Sequence, residues 1–210
     1  MGENKSMNFT DVLKKRRAVR QYTPAPIERS EVEALINSAI EAPSAMNLQP
    51  WAFAVILGRE TVDGYARRAK DWLAEHLSQL SIAAQHRLEQ RMNEDPDFTL
   101  FYHAPALVLV LAKSSEAQAM EDCCLAAENL MLAARDQDLG TCWIGFARPW
   151  LNLPEVKAEL GVPEPYQVVA PIVVGRPRAW PESHGRKPAE VLWIRSVQAE
   201  QPRLAVVSNR

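Results

Sequence analysis

APALVLVLAKSSEAQAMEDCCLAAENLMLAARDQDLGTCWIGF, residues 104–146, sets the class of fold, because it holds a strand, a long helix and a second strand in direct succession. The run ALVLVLA (106–112) is apolar without alternation, the mark of a strand covered on both faces. Residues 116–138 then place Met120, Cys123, Cys124, Ala127, Leu130, Met131 and Ala134 at helical spacing with little polar face, and Gly140 closes the helix. At 1.5 Å per residue it runs roughly 35 Å. A helix so apolar needs cover on most sides, from the domain core or from a subunit interface. TCWIGF (141–146) returns the chain to a strand.

Upstream, Phe9, Val12 and Leu13 follow a capping Asn8 at helical spacing. The basic run from Lys14 to Arg20 then falls at the helix end, where cations suit the dipole. Val32, Leu35, Ile36, Ala39 and Ile40 predict a second amphipathic helix stopped by Pro43, and a strand comes next at 51–57. The charge-rich stretch from Thr61 to Met92 reads as one or two surface helices. Downstream lie a short helix near 154–160, a strand QVVAPIVVG (167–175), and EVLWI (190–194), a late short strand or arm. Strands and helices interleave without the Gly-rich turns of a doubly wound sheet. The expected class is therefore α+β, a small, mostly antiparallel sheet flanked by helices. No repeat or linker divides the chain, so residues 1–210 read as one domain.

Composition narrows the function. With 47% hydrophobic and 24% charged residues and a formal net charge of −2, no global field favours nucleic acid or an anionic membrane. MGENKSMNFT lacks an apolar leader core, and the apolar runs at 51–57 and 104–112 are too short to span a bilayer, so a cytoplasmic protein is expected. Cys123, Cys124 and Cys142 form no CxxC pair and read as buried free thiols. His76, His86, His103 and His184 show no metal-binding spacing, and no metal is expected.

Neither GxGxxG nor GxxxxGK[ST] occurs among the eight glycines, so a phosphate must be held by side chains. RRAVR offers Arg16, Arg17 and Arg20, planar forks matched to bidentate phosphate recognition, although a charge run at a helix end is ordinarily just solvated. APSAMNLQPW (42–51) puts Ser44, Asn47 and Gln49 in a loop between a helix and a buried strand. The amides of Asn47 and Gln49 offer the paired donors and acceptors that a flavin's pyrimidine edge requires; singly, the loop is an ordinary turn.

The order RRAVR, helix, APSAMNLQPW, apolar strand and, much later, LGTCWIG (139–145) resembles the FMN-dependent nitroreductase family over roughly residues 12–195. RKP (186–188) resembles that family's second basic contact to the FMN phosphate. The resemblance implies an intertwined homodimer with shared FMN sites. By position, Arg16, Arg17 and Arg20 would contact phosphate and ribityl, with Arg20 also toward the pyrimidine edge. Pro43, Ser44, Ala45, Met46 and Asn47 would reach across the dimer, with Gln49 nearby. Trp143, Ile144 and Gly145 would line the isoalloxazine, one backbone N–H pointing at N5, and Arg186 and Lys187 would complete the phosphate site. Ala18 stands where the family often has Ser, leaving a backbone N–H in place of a hydroxyl.

The activity implied by the resemblance is that of an NAD(P)H-dependent FMN oxidoreductase, reducing nitroaromatic, quinone or similar electron-poor acceptors by ping-pong hydride transfer through flavin N5. No protein nucleophile or general acid is required, which agrees with the absence of GxSxG and Cys–His signatures. The same cradle suits a specialised relative, such as a reductive dehalogenase or a flavin-consuming enzyme, or a flavin-binding protein without turnover. Residues 61–100 match no family motif and are expected to form a lid that selects the acceptor.

Overall fold

A computed structural model of the chain describes residues 7–95 and 97–194. Its helices are α1 (Phe9–Lys15), α2 (Arg29–Ala39), α3 (Arg59–Glu75), α4 (Ile82–Glu94), α5 (Ala117–Asp136), α6 (Arg148–Leu151) and α7 (Pro154–Glu159). Its strands are β1 (Trp51–Leu57), β2 (Ala106–Ala112), β3 (Gly140–Trp143) and β4 (Gln167–Gly175), hydrogen-bonded in the order β1-β2-β4-β3 with every pair antiparallel.

The runs ALVLVLA and QVVAPIVVG are the two central strands, while the apolar run at 51–57 is the edge strand β1. Along β2, Leu107, Leu109 and Leu111 enter one apolar cluster, while Ala106, Val108, Val110 and Ala112 enter another, as the two-residue period of a strand requires. The leucine face is covered by α3, α4, α6 and α7 through Val62, Leu73, Leu88, Leu151 and Val156. The alanine and valine face receives α2 and α5, whose Ala126, Ala127 and Ala134 are small enough to let the helix lie close to the sheet. α5 spans 20 residues, about 30 Å, somewhat shorter than its apolar pattern.

Several boundaries move for identifiable reasons. Lys14 and Lys15 occupy the last turn of α1, as expected, but the helix ends there: Arg16 already has φ −59°, ψ 131°, and residues 16–20 continue as extended chain. The ladder ends after Trp143: the Ile144 N–H still donates in register to the Pro171 carbonyl at 2.7 Å, but Pro171 has no N–H to return, and the Ile144 carbonyl instead accepts the Ala147 N–H at 3.1 Å as Gly145–Ala147 form a 3-10 turn. α2 closes at Ala39, four residues before Pro43. Residues 190–194 join no strand; Val191 to Ile194 are exposed, which leaves the arm of the two alternatives. Cys124 is exposed, whereas Cys123 and Cys142 are buried. Among the described residues no helix is long and apolar enough to cross a membrane.

Candidate functional site

Once past its last helical turn, the chain crosses the start of β3. The Val19 N–H donates to the Thr141 carbonyl at 2.9 Å, and Ala18 bridges Thr141 in parallel fashion. Gly140 is required here, since a Cβ on it would meet the Val19 side chain at 2.7–2.9 Å. Buried Val19 pins the segment and turns its arginines outward. Arg16 pairs through Nε with Glu128 of α5 at 3.5 Å. Arg17 donates from one terminal nitrogen to the Lys14 and Arg16 carbonyls, both at 2.7 Å, while its buried Nε has no partner among the described residues. Arg20 is exposed, its guanidinium 6.0 Å from the centre of the Tyr102 ring. Burial pushes the Cys142 thiol above its ordinary range, and the Arg20 guanidinium works against that shift. That thiol stays protonated at neutral pH.

The loop ahead of β1 is tightly made. Met46, Asn47 and Gln49 have φ of 49°, 56° and 48°, the left-handed region that non-glycine residues enter at a cost. Ser44 Oγ accepts the Gln49 N–H at 3.0 Å, and Gln49 Nε2 donates to Asn47 Oδ1 at 2.9 Å. The Ala45 N–H donates to both carboxylate oxygens of Asp122, a buried residue of α5, at 3.3 and 3.2 Å. This anchoring leaves Pro43 exposed and Met46 87% exposed at the loop's outer edge.

At the end of β3 the side chains part. Trp143 packs toward the α5 layer, Ile144 toward the opposite one, and exposed Gly145 opens the 3-10 turn, where first-turn N–H groups lack intrahelical partners. The segment after β4 is tied down by Arg176 to Glu31 at 2.8 Å, by Arg178 Nε to the Tyr22 carbonyl at 3.1 Å, and by Trp180, whose ring lies 3.8 Å from the Arg135 guanidinium. Arg186 and Lys187 lie beyond these ties, exposed, and Arg186 donates to the Gly185 carbonyl at 2.8 Å.

Helix α5 is therefore common ground. Glu128 holds the arginine segment and Asp122 the polar loop, six residues or about 9 Å apart along the axis. The bridge from Ala18 to Thr141 sets the same segment two residues from Trp143. Arg186 and Lys187 make no hydrogen bond or ion pair with residues 16–20 among the described residues. Asp122 was not among the sequence candidates, although a carboxylate between Met120, Cys123 and Ala126 on an apolar helix face is a usable sign of a buried polar anchor. Among the described residues no group of three or more His, Cys, Asp and Glu could hold a metal ion.

A sequence model of the nitroreductase family matches residues 13–176. An iodotyrosine deiodinase of Thermotoga neapolitana is 30% identical over 174 residues, covering 80% of this chain and 87% of its own. A nitrobenzene nitroreductase of Ectopseudomonas oleovorans is 25% identical over 195 residues, covering 79% and 85%. A crystal structure of a nitroreductase with bound FMN from Bacteroides fragilis aligns with a TM-score of 0.74 at 27% identity, over 90% of this chain and all of that one.

Proposed function

The chain belongs to the nitroreductase family, and from that premise we propose that it is an FMN-dependent oxidoreductase, using NAD(P)H to reduce nitroaromatic, quinone or similar electron-poor acceptors. The observation that carries the reading is the buried, unpartnered Nε of Arg17 beside Arg16, on a segment stitched to the strand that leads into Gly145. An orphaned guanidinium N–H seeks an anion. The residues fit FMN. Arg16 and Arg17, joined by Arg186 and Lys187, would hold the phosphate, and the backbone N–H of Ala18 would serve the ribityl chain. Arg20 and the amides of Asn47 and Gln49 suit the pyrimidine edge. Trp143 and Ile144 would flank the ring and Gly145 would present its N–H beside open space, since even a Cβ there meets nothing within 4 Å.

Bound FMN supplies the capacity to accept a hydride and pass it on. The chain's part is to bind, to orient and to set the electrostatics: cations and N–H donors on the pyrimidine side favour the reduced, anionic form. The same reading makes the active unit a homodimer, in which Pro43 to Asn47 of one copy complete the site of the other. Exposed Phe9 and Leu13 on α1, Leu125 on α5, and Met46 and Leu48 in the loop support this, as apolar surface beside the same elements. Donor and acceptor then use one cavity in turn. Initial rates measured while both are varied should give parallel double-reciprocal lines; intersecting lines would rule out exchange through one cavity. The deiodinase relative keeps reductive dehalogenation as a second reading, tested by iodide release from iodotyrosine under NADPH.

A further inference from the structure

Beyond Arg20, where β1 ends and β2 begins, two adjoining recesses of about 500 and 240 Å³ share Asp97, Phe98, Thr99 and His103 as a common wall. Arg67 and Lys70 of α3 line the larger recess; Arg20, Arg59 and Arg178 line the smaller. None of these five cations has a carboxylate within 4.0 Å among the described residues, although Lys70 Nζ donates to the Phe98 carbonyl at 2.9 Å, Arg178 Nε to the Tyr22 carbonyl at 3.1 Å and Arg59 to the Thr23 carbonyl. The opposing carboxylates are fewer and partly engaged. Asp63 Oδ2 lies 2.9 Å from His103 Nδ1, and Asp95 Oδ1 accepts the Asp97 N–H at 3.0 Å. Inside the wall, Arg59 Nε and Asp63 Oδ1 are buried without partners among the described residues. Tyr102 and His103 are held at φ 55° and 53°, two consecutive left-handed residues just before a buried strand, the kind of strain that gathers at binding sites.

We propose that this double recess selects the electron acceptor by an acidic substituent, taking the carboxylate of an aromatic acceptor whose ring extends past Arg20. Cations without a carboxylate partner in a concave wall raise the local concentration of anions, and guanidinium forks match a carboxylate. Half-buried Tyr102, backed edge to face by buried Phe98 at 5.9 Å, supplies an aromatic flank for the ring. The inference rests on the oxidoreductase reading and narrows its acceptor.

The test uses the purified FMN-loaded protein, NADPH, and two probes, a nitroarene carrying a carboxylate and the same compound as its methyl ester. The ester withdraws electrons more strongly and is intrinsically easier to reduce, so a preference for the acid must come from the protein. A ratio of kcat/KM favouring the acid by about tenfold or more, expressed in KM, is expected for one charge-assisted contact. It should fall toward unity in Arg67→Gln and in Arg178→Gln, and in the unaltered protein as salt is raised. A wild-type ratio at or below one, or a ratio indifferent to both variants and to salt, overturns the proposal. Bleaching of bound flavin by NADPH reports the oxidoreductase reading separately: a protein that bleaches but shows no preference refutes the recess alone, and one that does not bleach refutes both.

Discussion

Arg16 and Arg17 lie in one short run yet differ in their ties, the first to a carboxylate on α5 and the second to carbonyls of its own segment. Their clustering was legible in the sequence; their extended conformation was not, because it depends on Thr141, more than a hundred residues away. The same holds for Asp122, which meets Ala45 only when loop and helix pack. If the phosphate clasp is as proposed, Arg16→Ala should weaken FMN binding about 10- to 100-fold, since a charge-assisted contact contributes roughly 1.5–3 kcal/mol. Arg186→Ala should behave similarly. Fluorescence titrations in which both variants match the unaltered protein would refute the clasp. Cys123 makes a pH prediction: burial pushes its thiol from 9.0 up to about 12. The unfolded chain therefore ionises this thiol first, so its contribution to stability is complete below the ordinary thiol range and is lost as pH rises from 9.0 toward 12. Melting temperatures should fall over that window, and less steeply in Cys123→Ala; equal slopes would contradict the assignment.

At the scale of elements, β2 and β4 were readable because strands buried on both faces are continuous apolar runs. β3 was overextended because Ile144 has strand propensity, while its ladder partner, Pro171, has no N–H to return and its own carbonyl is taken by the Ala147 N–H of the following turn. EVLWI has strand composition yet pairs with no strand among the described residues, and composition alone cannot supply a partner. Residues 61–100 resolve into most of α3, all of α4 and the approach to β2. α3 turns Val62, Ala66, Ala69 and Leu73 to the core, so the segment is not merely a surface cover. Its outer face carries Arg67 and Lys70 of the larger recess. Exchanging 61–100 for a relative's segment, with those four core residues retained, should reorder the acceptors while FMN affinity and reduction by NADPH stay nearly constant, because discrimination resides in differential contacts above the flavin. Stopped-flow kinetics of the two half-reactions check this, and an unchanged acceptor ranking would refute it.

For the whole molecule, the arginine segment, the polar loop and the end of β3 gather around α5, with Arg20, Met46 to Gln49 and Gly145 open to solvent in one chain and apolar Phe9, Leu13 and Leu125 exposed nearby. On the proposed reading a second copy covers this surface. Sedimentation at micromolar concentration should find a flavin-loaded dimer that releases FMN as dilution separates its subunits; a flavin-loaded monomer would contradict the shared site. Whether this chain binds FMN and moves electrons through it is decided by anaerobic titration of the purified protein with NADPH, with the visible flavin absorbance as the signal. The expected outcome is a yellow protein whose colour is bleached by about one equivalent of NADPH per flavin, in keeping with two-electron hydride transfer, and restored by a nitroarene or quinone. A colourless protein that takes up no FMN, or a bound flavin that neither NADPH nor NADH reduces, would contradict it.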